Sequence, residues 1–301
     1  MSYFLISVSN RINLDLCIRH ALAGFTNSIS GVWTFCEIEE GDFISFLYGA
    51  KVFNLYKVKG KRAIKNAGNI PPWPSVTFRM SGRTYFFPFR LILEPLRKFE
   101  ESMVRPEFAY VAENLLLRGG YRRTHFEADQ TTLQSTSQMG SLYDQSPEPL
   151  NIDEGDALIP KFTWDRTRVS VPEVFRFHEF ILQALLRRYL SNRENLQDVF
   201  TCAGLDDLEP RSFEVLGEKA LPEGHVDVLV KDRTPRGLSR KIVIEVKSGA
   251  VKTQDIRQLS GYVEEIGSEC LAGMLIGKNF SGRTLAAAKE KKVSSFVYSF
   301  Q

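Results

Sequence analysis

GHVDVLV (224–230), followed by IVIEVK (242–247), is the pair of stretches that decides the fold of the C-terminal half of this chain. Both runs are apolar, and each contains one acidic residue, Asp227 or Glu245. Side chains alternate between the two faces of a strand, so Glu245 and Lys247 project from the same face. Two carboxylates and an ammonium group on an otherwise buried sheet are costly unless a cation binds beside them. The pattern therefore predicts a two-strand metal site that suits hydrolysis of a phosphodiester by a metal-activated water.

Length and composition set the frame for this site. The 301 residues can hold two domains, and 43% hydrophobic and 25% charged residues are typical of a globular protein. A net charge of +3 is too small to identify a polyanion binder, so any basic patch must be local. The four cysteines form no CxxC pair, which argues against a zinc ribbon or a disulfide framework. No segment approaches the roughly 18 apolar residues of a membrane span, so we expect a cytoplasmic protein without a membrane partner.

The chain divides in the middle. A polar segment rich in Ser, Thr, Gln, Asp and Pro predicts a linker over residues 129–157, between an N-terminal domain (1–128) and a C-terminal domain (158–301). In the first half, short apolar runs predict strands that close into a small antiparallel β-barrel with helices. In the second half, helices and strands alternate, which predicts a mixed sheet flanked by helices, beginning with a helix over 174–189. The expected fold class is a two-domain protein, α+β and then α/β.

The C-terminal half resembles the PD-(D/E)XK nuclease superfamily, and most closely its RecB-like branch. Asp227 is the acidic residue of that pattern, preceded here by valine instead of proline, and Glu245-Val246-Lys247 supplies the (D/E)XK element. Gln258 and Tyr262 form the QxxxY element, and their i,i+4 spacing puts them on one ridge of a helix. The resemblance runs from about residue 172 to the C-terminus. It implies a metal-dependent endodeoxyribonuclease.

The resemblance also implies a role for each residue. Asp227 and Glu245 would hold Mg²⁺, for which Mn²⁺ can substitute, because hard cations prefer oxygen ligands. Lys247 would orient the attacking water or stabilise the transition state. Gln258 would fix the site or contact the backbone of the substrate. Two glutamates remain as further candidates, a metal ligand at Glu218 and a weaker candidate at Glu179.

The N-terminal half resembles the YTH and EVE domains, which are PUA-like barrels that recognise modified bases. The match runs through residues 3–10, the Gly-Val-Trp-Thr segment at 31–34 and the Pro-Pro-Trp-Pro segment at 71–74. In the YTH pattern, a tryptophan in a Gly-Val-Trp-(Ser/Thr) turn and a second, later tryptophan form a cage around N6-methyladenine. Trp33 and Trp73 occupy those positions.

The same resemblance implies polar contacts around the base. Hydrogen bonds to the base edge would come from Ser9, Asn10 and the backbone around Thr34. A flipped base is read by stacking on aromatic faces together with such bonds. Beside this pocket lies a local run of basic residues that predicts contacts to nucleic-acid phosphates, which position a protein without reading sequence. Its members are Lys57, Lys59, Lys61 and Arg62.

Together the two halves predict a modification-dependent restriction endonuclease. It would flip N6-methyladenine out of double-stranded DNA and cut nearby phosphodiesters. Two strands must be cut and each chain has one site, so we expect a homodimer on DNA. Two alternatives remain open: a reader or nuclease of methylated RNA, and a repair nuclease that acts on branched or mismatched DNA. The sequence leaves the modified base, the recognition sequence and the cut position open.

Overall fold

The computed structural model describes the chain except for residues 50, 66, 78, 80–81, 100–123, 151–156, 222–223 and 301, and it describes no side chains at 69 and 218–221. The chain forms two compact units: residues 1–128 with 132–177, and residues 129–131 with 178–301. The predicted linker and domain boundary therefore differ from the structure. The helix Gln130–Ser137 buries Leu133 in the same hydrophobic cluster as Tyr3 and Leu5, which places most of the expected linker in the first unit.

Eleven of the described strands belong to the first unit. They are β1 (Tyr3–Ser7), β2 (Leu22–Phe25), β3 (Phe43–Tyr48), β4 (Lys51–Ala63), β5 (Val76–Thr77), β6 (Thr84–Tyr85), β7 (Phe89–Lys98), β8 (His125–Ala128), β9 (Ser141–Leu142), β10 (Lys161–Thr163) and β11 (Val174–Arg176). The main sheet has the order β2-β7-β4-β3-β1-β8, with β9 paired to β7. Among the strands that the structure describes, this path has two ends, so the sheet is open and the predicted closed barrel is wrong. The reason is the parallel pairing of β1 with β3 and the addition of β8 beyond it.

The helices of the first unit have polar caps that fix where two of them begin. They are α1 (Arg11–His20), α2 (Ile29–Glu37) and α3 (Gln130–Ser137). The Asn10 side chain accepts from the Asn13 N–H at 2.8 Å, and Ser28 accepts from the Gly31 N–H at 3.2 Å, as N-cap residues do. The segment predicted as a turn around Trp33 is thus helical. It passes so close to Thr26 that a Cβ at Gly31 would lie 1.9 Å from the Thr26 carbonyl oxygen.

The second unit is built on one mixed sheet. Its strands are β12 (Phe213–Leu221), β13 (Gly224–Asp232), β14 (Lys241–Ala250), β15 (Cys270–Asn279) and β16 (Val293–Val297), paired in that order. The first three strands are antiparallel and the last three are parallel. Its helices are α4 (Glu179–Ser191), α5 (Arg193–Cys202), α6 (Thr253–Ile266) and α7 (Gly282–Glu290). This confirms the prediction of a mixed sheet flanked by helices.

Helix α6 positions the C-terminal site, because it carries Gln258 and Tyr262. Its apolar residues Ile256 and Leu259 are buried in one cluster with Val243 and Leu275 of the sheet. The helix predicted over 174–189 instead begins at Glu179, because Val174–Arg176 forms a strand whose Phe175 is buried in the core of the first unit. No helix in the described ranges is long and apolar enough to cross a bilayer.

Candidate active site

The end of a strand ladder places Asp227 beside Glu245. The pairing of β13 with β14 runs as far as Val228 opposite Ile244, and Asp227 and Glu245 are the next residues along each strand. Beyond this point a side chain replaces the backbone acceptor. The Asp227 Oδ2 accepts the Val246 N–H at 2.7 Å. A side chain thus satisfies a backbone donor where the strands separate. The bond fixes one carboxylate of the predicted metal site.

Glu245 lies at the centre of the site and is only 2% exposed. Its Oε1 accepts from Lys247 Nζ at 2.7 Å and from Gln258 Nε2 at 3.3 Å. Its Oε2 is buried, and no donor among the described residues reaches it. A buried carboxylate oxygen without a partner loses its hydration without compensation. This orphaned oxygen is the strongest local sign that the site takes a ligand.

Glu179 joins the site from helix α4. Its Oε1 lies 3.7 Å from Lys247 Nζ, and its Oε2 accepts the Ser248 N–H at 2.8 Å and the Ser248 hydroxyl at 3.1 Å. Glu179, the weaker candidate from the sequence, therefore lies in the candidate site. Tyr298 was not singled out from the sequence, yet its hydroxyl donates to the Ser248 carbonyl at 2.7 Å. No sequence motif marks either contact, because each joins residues far apart in the chain.

The QxxxY pair links helix α6 to the carboxylates. Gln258 Nε2 donates to the Tyr262 hydroxyl at 2.9 Å as well as to Glu245. Tyr262 is buried against the sheet. The i,i+4 spacing therefore places both side chains on one ridge of the helix, as predicted. Tyr262 holds the Gln258 amide, which in turn orients Glu245. The side chain of Glu218, the other predicted ligand, lies outside what the structure describes.

The electrostatics of the cluster follow from burial and mutual repulsion. Burial, with the neighbouring Glu245 charge, raises the pKa of Asp227 to about 7, and burial also raises the pKa of Glu245. Burial alone would lower the pKa of Lys247, but the Glu245 and Asp227 carboxylates outweigh it and raise that pKa above its usual range. Lys247 is therefore an ammonium ion at neutral pH. The two carboxylates are held together at a cost that a cation would offset.

The residues present fit a hard divalent cation that keeps part of its water shell. Asp227 and Glu245 offer oxygen ligands, and the orphaned Glu245 Oε2 faces no protein donor among the described residues. No three His, Cys, Asp or Glu side chains in the described part of the chain converge into a ready-made metal cluster. Mg²⁺ suits such a partial set, because it is usually bound by one or two carboxylates and retains several waters.

In the first unit, both tryptophans of the expected cage are buried. Trp33, 9% exposed, lies edge-on to His125 with 4.8 Å between ring centroids. Trp73, 4% exposed, packs beside Phe87 and under the Arg90 guanidinium, which lies 5.5 Å from its ring centroid. The structure thus gives each ring neighbours within the core. Their role as a base cage remains a prediction.

The polar residues expected at the base edge lie in two settings. Ser9 and Asn10 are exposed at the start of α1, where Asn10 is the helix cap. Thr34 is fully buried, and its hydroxyl lies 2.8 Å from His125 Nδ1. On its other side, His125 Nε2 lies 2.7 Å from Glu37 Oε2. Thr34 therefore belongs to a buried polar network, and the hydrogen bonds of its hydroxyl are made within that network.

The predicted phosphate contacts lie along β4. Lys59 Nζ is 3.2 Å from Glu94, and Lys61 Nζ is 3.1 Å from Glu39 while also lying over the Phe35 ring. Lys57 and Arg62 are partly exposed on the same strand. Lys59 and Lys61 therefore have acidic partners, which a phosphate would have to displace.

No family model matches the chain, and no curated protein matches it. It is similar to the solved structure of a repair endonuclease from Pyrococcus abyssi, with 18% identity over 35% of this chain and 45% of that chain and a TM-score of 0.25. It is also similar to EndoMS in a complex with double-stranded DNA, with 14% identity over 82% of this chain and 78% of that chain and a TM-score of 0.29.

A further similarity is to the MspJI restriction endonuclease bound to a 27-mer oligonucleotide. The identity is 8% over 88% of this chain and 61% of that chain, with a TM-score of 0.19. The chain spans less than half the length of the repair endonuclease and of apo EndoMS, at 45% and 47%. TM-scores this low do not establish a shared fold, so the function has to follow from the residues of this chain.

Proposed function

We propose that the second unit is a metal-dependent endodeoxyribonuclease and that the whole chain is a modification-dependent restriction endonuclease. One observation carries the nuclease proposal. Glu245 has a buried, orphaned Oε2, and it is adjacent in the ladder to Asp227 and hydrogen-bonded to the Lys247 ammonium. Carboxylates beside a fixed ammonium suit the binding of a cation and the stabilisation of an anionic phosphate.

Each residue of the candidate site has a role that follows from its charge and its contacts. Asp227 and Glu245 would hold Mg²⁺, or Mn²⁺ in its place, and the bound ion supplies a water of lowered pKa and neutralises charge on the phosphate. Lys247 would orient the attacking water or stabilise the transition state through its charge. Gln258 keeps Glu245 Oε1 engaged and thereby leaves Oε2 for the cation. Glu179 secures the strand end through Ser248.

For the first unit we propose a reader of N6-methyladenine in double-stranded DNA. The support is the resemblance of its Trp33 and Trp73 segments to YTH and EVE domains. Burying one methyl group contributes about 0.8 kcal/mol, and an unpaired amino group in an apolar cage costs roughly 1–3 kcal/mol more. Such a reader would direct a cutter that has little sequence specificity of its own. A homodimer on DNA, in the cytoplasm, completes the proposal.

Cleavage of three matched DNAs tests the proposal. The purified chain with Mg²⁺ is incubated with otherwise identical duplexes that are unmodified or carry N6-methyladenine or 5-methylcytosine. We expect cleavage of the N6-methyladenine duplex, and we expect Lys247→Ala to lower the rate at least 100-fold, on the scale of losing one transition-state contact. Lys241→Ala is the matched control, since Lys241 lies on the same strand, paired with Glu269 away from the site.

Other cleavage results would favour other functions. Equal cleavage of all three duplexes would contradict the reader and leave the nuclease. Faster cleavage of unmodified branched or mismatched DNA would favour a repair nuclease, and cleavage confined to methylated RNA would change the polymer. No cleavage of any of these substrates with Mg²⁺ or Mn²⁺ would overturn the nuclease itself.

A further inference from the structure

The chain has three tryptophans, and Trp164 differs from the other two. Trp33 and Trp73 are buried, whereas Trp164 is 54% exposed. An exposed indole is unusual, because tryptophan is a large apolar side chain that is highly buried on average. Tryptophan is enriched at interfaces, because its ring is apolar and its N–H can reach a polar partner. Trp164 plays no part in the predicted base cage or in the active site.

The Trp164 ring is supported from behind. Its centroid lies 4.7 Å from that of Phe177, which is itself buried and lies 6.1 Å from the Phe162 ring in an edge-on arrangement. The indole is therefore in contact with the buried Phe177 ring, which in turn packs against Phe162. A ring held in this way presents a rigid platform and loses little side-chain entropy when a second flat group stacks on it.

The turn that follows Trp164 is fixed by its own hydrogen bonds. The Asp165 carboxylate accepts the Thr167 N–H at 2.9 Å and the Thr167 hydroxyl at 2.7 Å, at the start of a 3₁₀ turn over Arg166–Arg168. These bonds lower the pKa of Asp165. The acidic residue of the segment is therefore used to shape the turn that carries Arg166 and Arg168.

The segment that carries Trp164 is rich in exposed positive charge. Four cationic side chains of this segment are exposed: Lys161, Arg166, Arg168 and Arg176. Of the two acidic residues in the segment, Asp165 caps the turn, 3.5 Å from Arg168, and Glu173 is paired with Lys65 at 2.9 Å. The surface thus combines an exposed, supported indole with an excess of cations. Aromatic rings interleaved with basic side chains are the composition of surfaces that bind single-stranded nucleic acid.

We propose that residues 161–176 form a nucleic-acid contact surface in which Trp164 stacks on an unpaired base and Arg166 and Arg168 contact the flanking phosphates. The surface rests on the proposed function and deepens it, because a nuclease that flips a base needs to hold strand segments that are no longer stacked. Every base has a π-face, so the contact adds affinity without reading sequence. The cations make that affinity dependent on salt.

Binding measured without metal tests the surface separately from cleavage. Fluorescein-labelled single-stranded DNA and a duplex with one bulged base are titrated with the full chain in EDTA, and fluorescence anisotropy is followed. We expect Trp164→Ala to weaken binding to both about ten-fold, within the range that removal of a stacking residue produces. Trp164→Tyr should recover most of the loss, because it restores a stacking ring. Arg166→Ala should weaken binding and reduce its salt dependence.

Tyr189→Ala is the matched control, since Tyr189 is an aromatic residue of similar exposure in the other unit and should leave the affinity unchanged. Thermal unfolding checks that each variant is folded. Unchanged DNA affinity in a folded Trp164→Ala variant would overturn the surface. A change confined to binding of anionic phospholipid vesicles, or to self-association in sedimentation, would overturn it too, because the occupant would then be a membrane or a second copy.

The outcome is distinguishable from failure of the proposed function. A wild-type chain that cleaves DNA, with a Trp164→Ala variant that binds and cleaves equally well, contradicts the surface alone. A wild-type chain that neither binds nor cleaves DNA contradicts both proposals. Slower cleavage by Trp164→Ala that higher DNA concentration restores would support the surface, because the defect then lies in binding.

Discussion

At the scale of single residues, Lys231 lies between two acidic side chains in a half-buried cluster of charges in the second unit. Its Nζ lies 2.7 Å from Asp129 and 3.4 Å from Glu214, its partner across the β12–β13 ladder. Glu214 also accepts the Gln130 N–H at 2.9 Å. The Lys231 and Glu214 side chains are 13% and 11% exposed. At this depth, removing one partner leaves the others charged and poorly hydrated.

Lys231→Ala should therefore destabilise the chain by roughly 3 kcal/mol, the cost of leaving buried charge uncompensated. Lys59→Ala is the control, because Lys59 and Glu94 form an exposed pair in the first unit, and such pairs contribute less than about 1 kcal/mol. Urea unfolding followed by circular dichroism measures both. Equal effects of the two substitutions would show that the Lys231 cluster is not energetically buried.

Glu214 predicts a pH dependence of stability. Burial, which outweighs the attraction of Lys231, raises its pKa to about 7. A carboxyl whose pKa is raised in the folded state contributes stability below its ordinary pKa, and that contribution is lost as pH rises through about 7. We expect stability to fall between pH 5 and pH 8, and to fall less in Glu214→Gln. Thermal unfolding at several pH values checks this, and parallel curves for the two proteins would contradict it.

The residues of the candidate site were predictable where local spacing determines geometry. Glu245 and Lys247 are two apart on a strand, and Gln258 and Tyr262 are four apart on a helix, so each pair meets on one face. The contact of Glu179 with Ser248 spans 69 residues, and no local period encodes it. Trp33 was misplaced for a related reason, since a glycine two residues earlier indicates a turn unless the close approach of Thr26 is known.

At the scale of elements, the packing of α6 on β15 sets the position of Gln258 in the candidate site. Gly273 lies under the helix, where an added Cβ would meet Val263 Cγ2 at 2.8 Å and Leu259 Cγ at 3.3 Å. The helix carries Gln258, so any shift of the helix moves the amide that bonds Glu245. The absent side chain at Gly273 thus sets the distance between helix and sheet.

Gly273→Ala should destabilise the chain by roughly 1–3 kcal/mol, as overpacking does. Gly261→Ala is the control. Gly261 lies on helix α6 itself, at a position where an added Cβ meets nothing within 4 Å. That substitution should stabilise by up to about 1 kcal/mol through helix propensity. Chemical denaturation of both variants measures the difference. A neutral Gly273→Ala would mean that the helix can move away from the sheet without cost.

Elements with a strong period were predicted well, and those set by tertiary pairing were not. The continuous apolar run predicted β14, and the i,i+4 spacing of Gln258 and Tyr262 predicted that both lie on one helix. The first sheet could not be read as open, because the parallel pairing of β1 with β3 joins segments about 40 residues apart. The apolar residues around position 175 are compatible with a helix or a strand. Pairing with β10 makes this segment the strand β11.

At the scale of the whole molecule, the proposed cation should couple to stability. A ligand that binds only the folded state at ten times its Kd adds about 1.4 kcal/mol to the free energy of unfolding. We expect Mg²⁺ to raise the unfolding temperature of the wild-type chain, and Glu245→Gln to abolish that rise because it removes a ligand carboxylate. Differential scanning calorimetry with Mg²⁺ and with EDTA measures it. The same rise in Glu245→Gln would place the cation elsewhere.

The path of the backbone has a consequence for how such a chain can be inherited. Because residues 129–131 belong to the second unit and 132–177 to the first, the chain passes between the units three times. A single recombination breakpoint near residue 177 would transfer Lys231 and Glu214 to a new host protein but leave Asp129 behind. The recipient would gain the second unit without the acid that lies 2.7 Å from Lys231 Nζ. Exchange of this module between genes therefore favours breakpoints that carry residue 129 along, or recipients that already provide an acid at the same place.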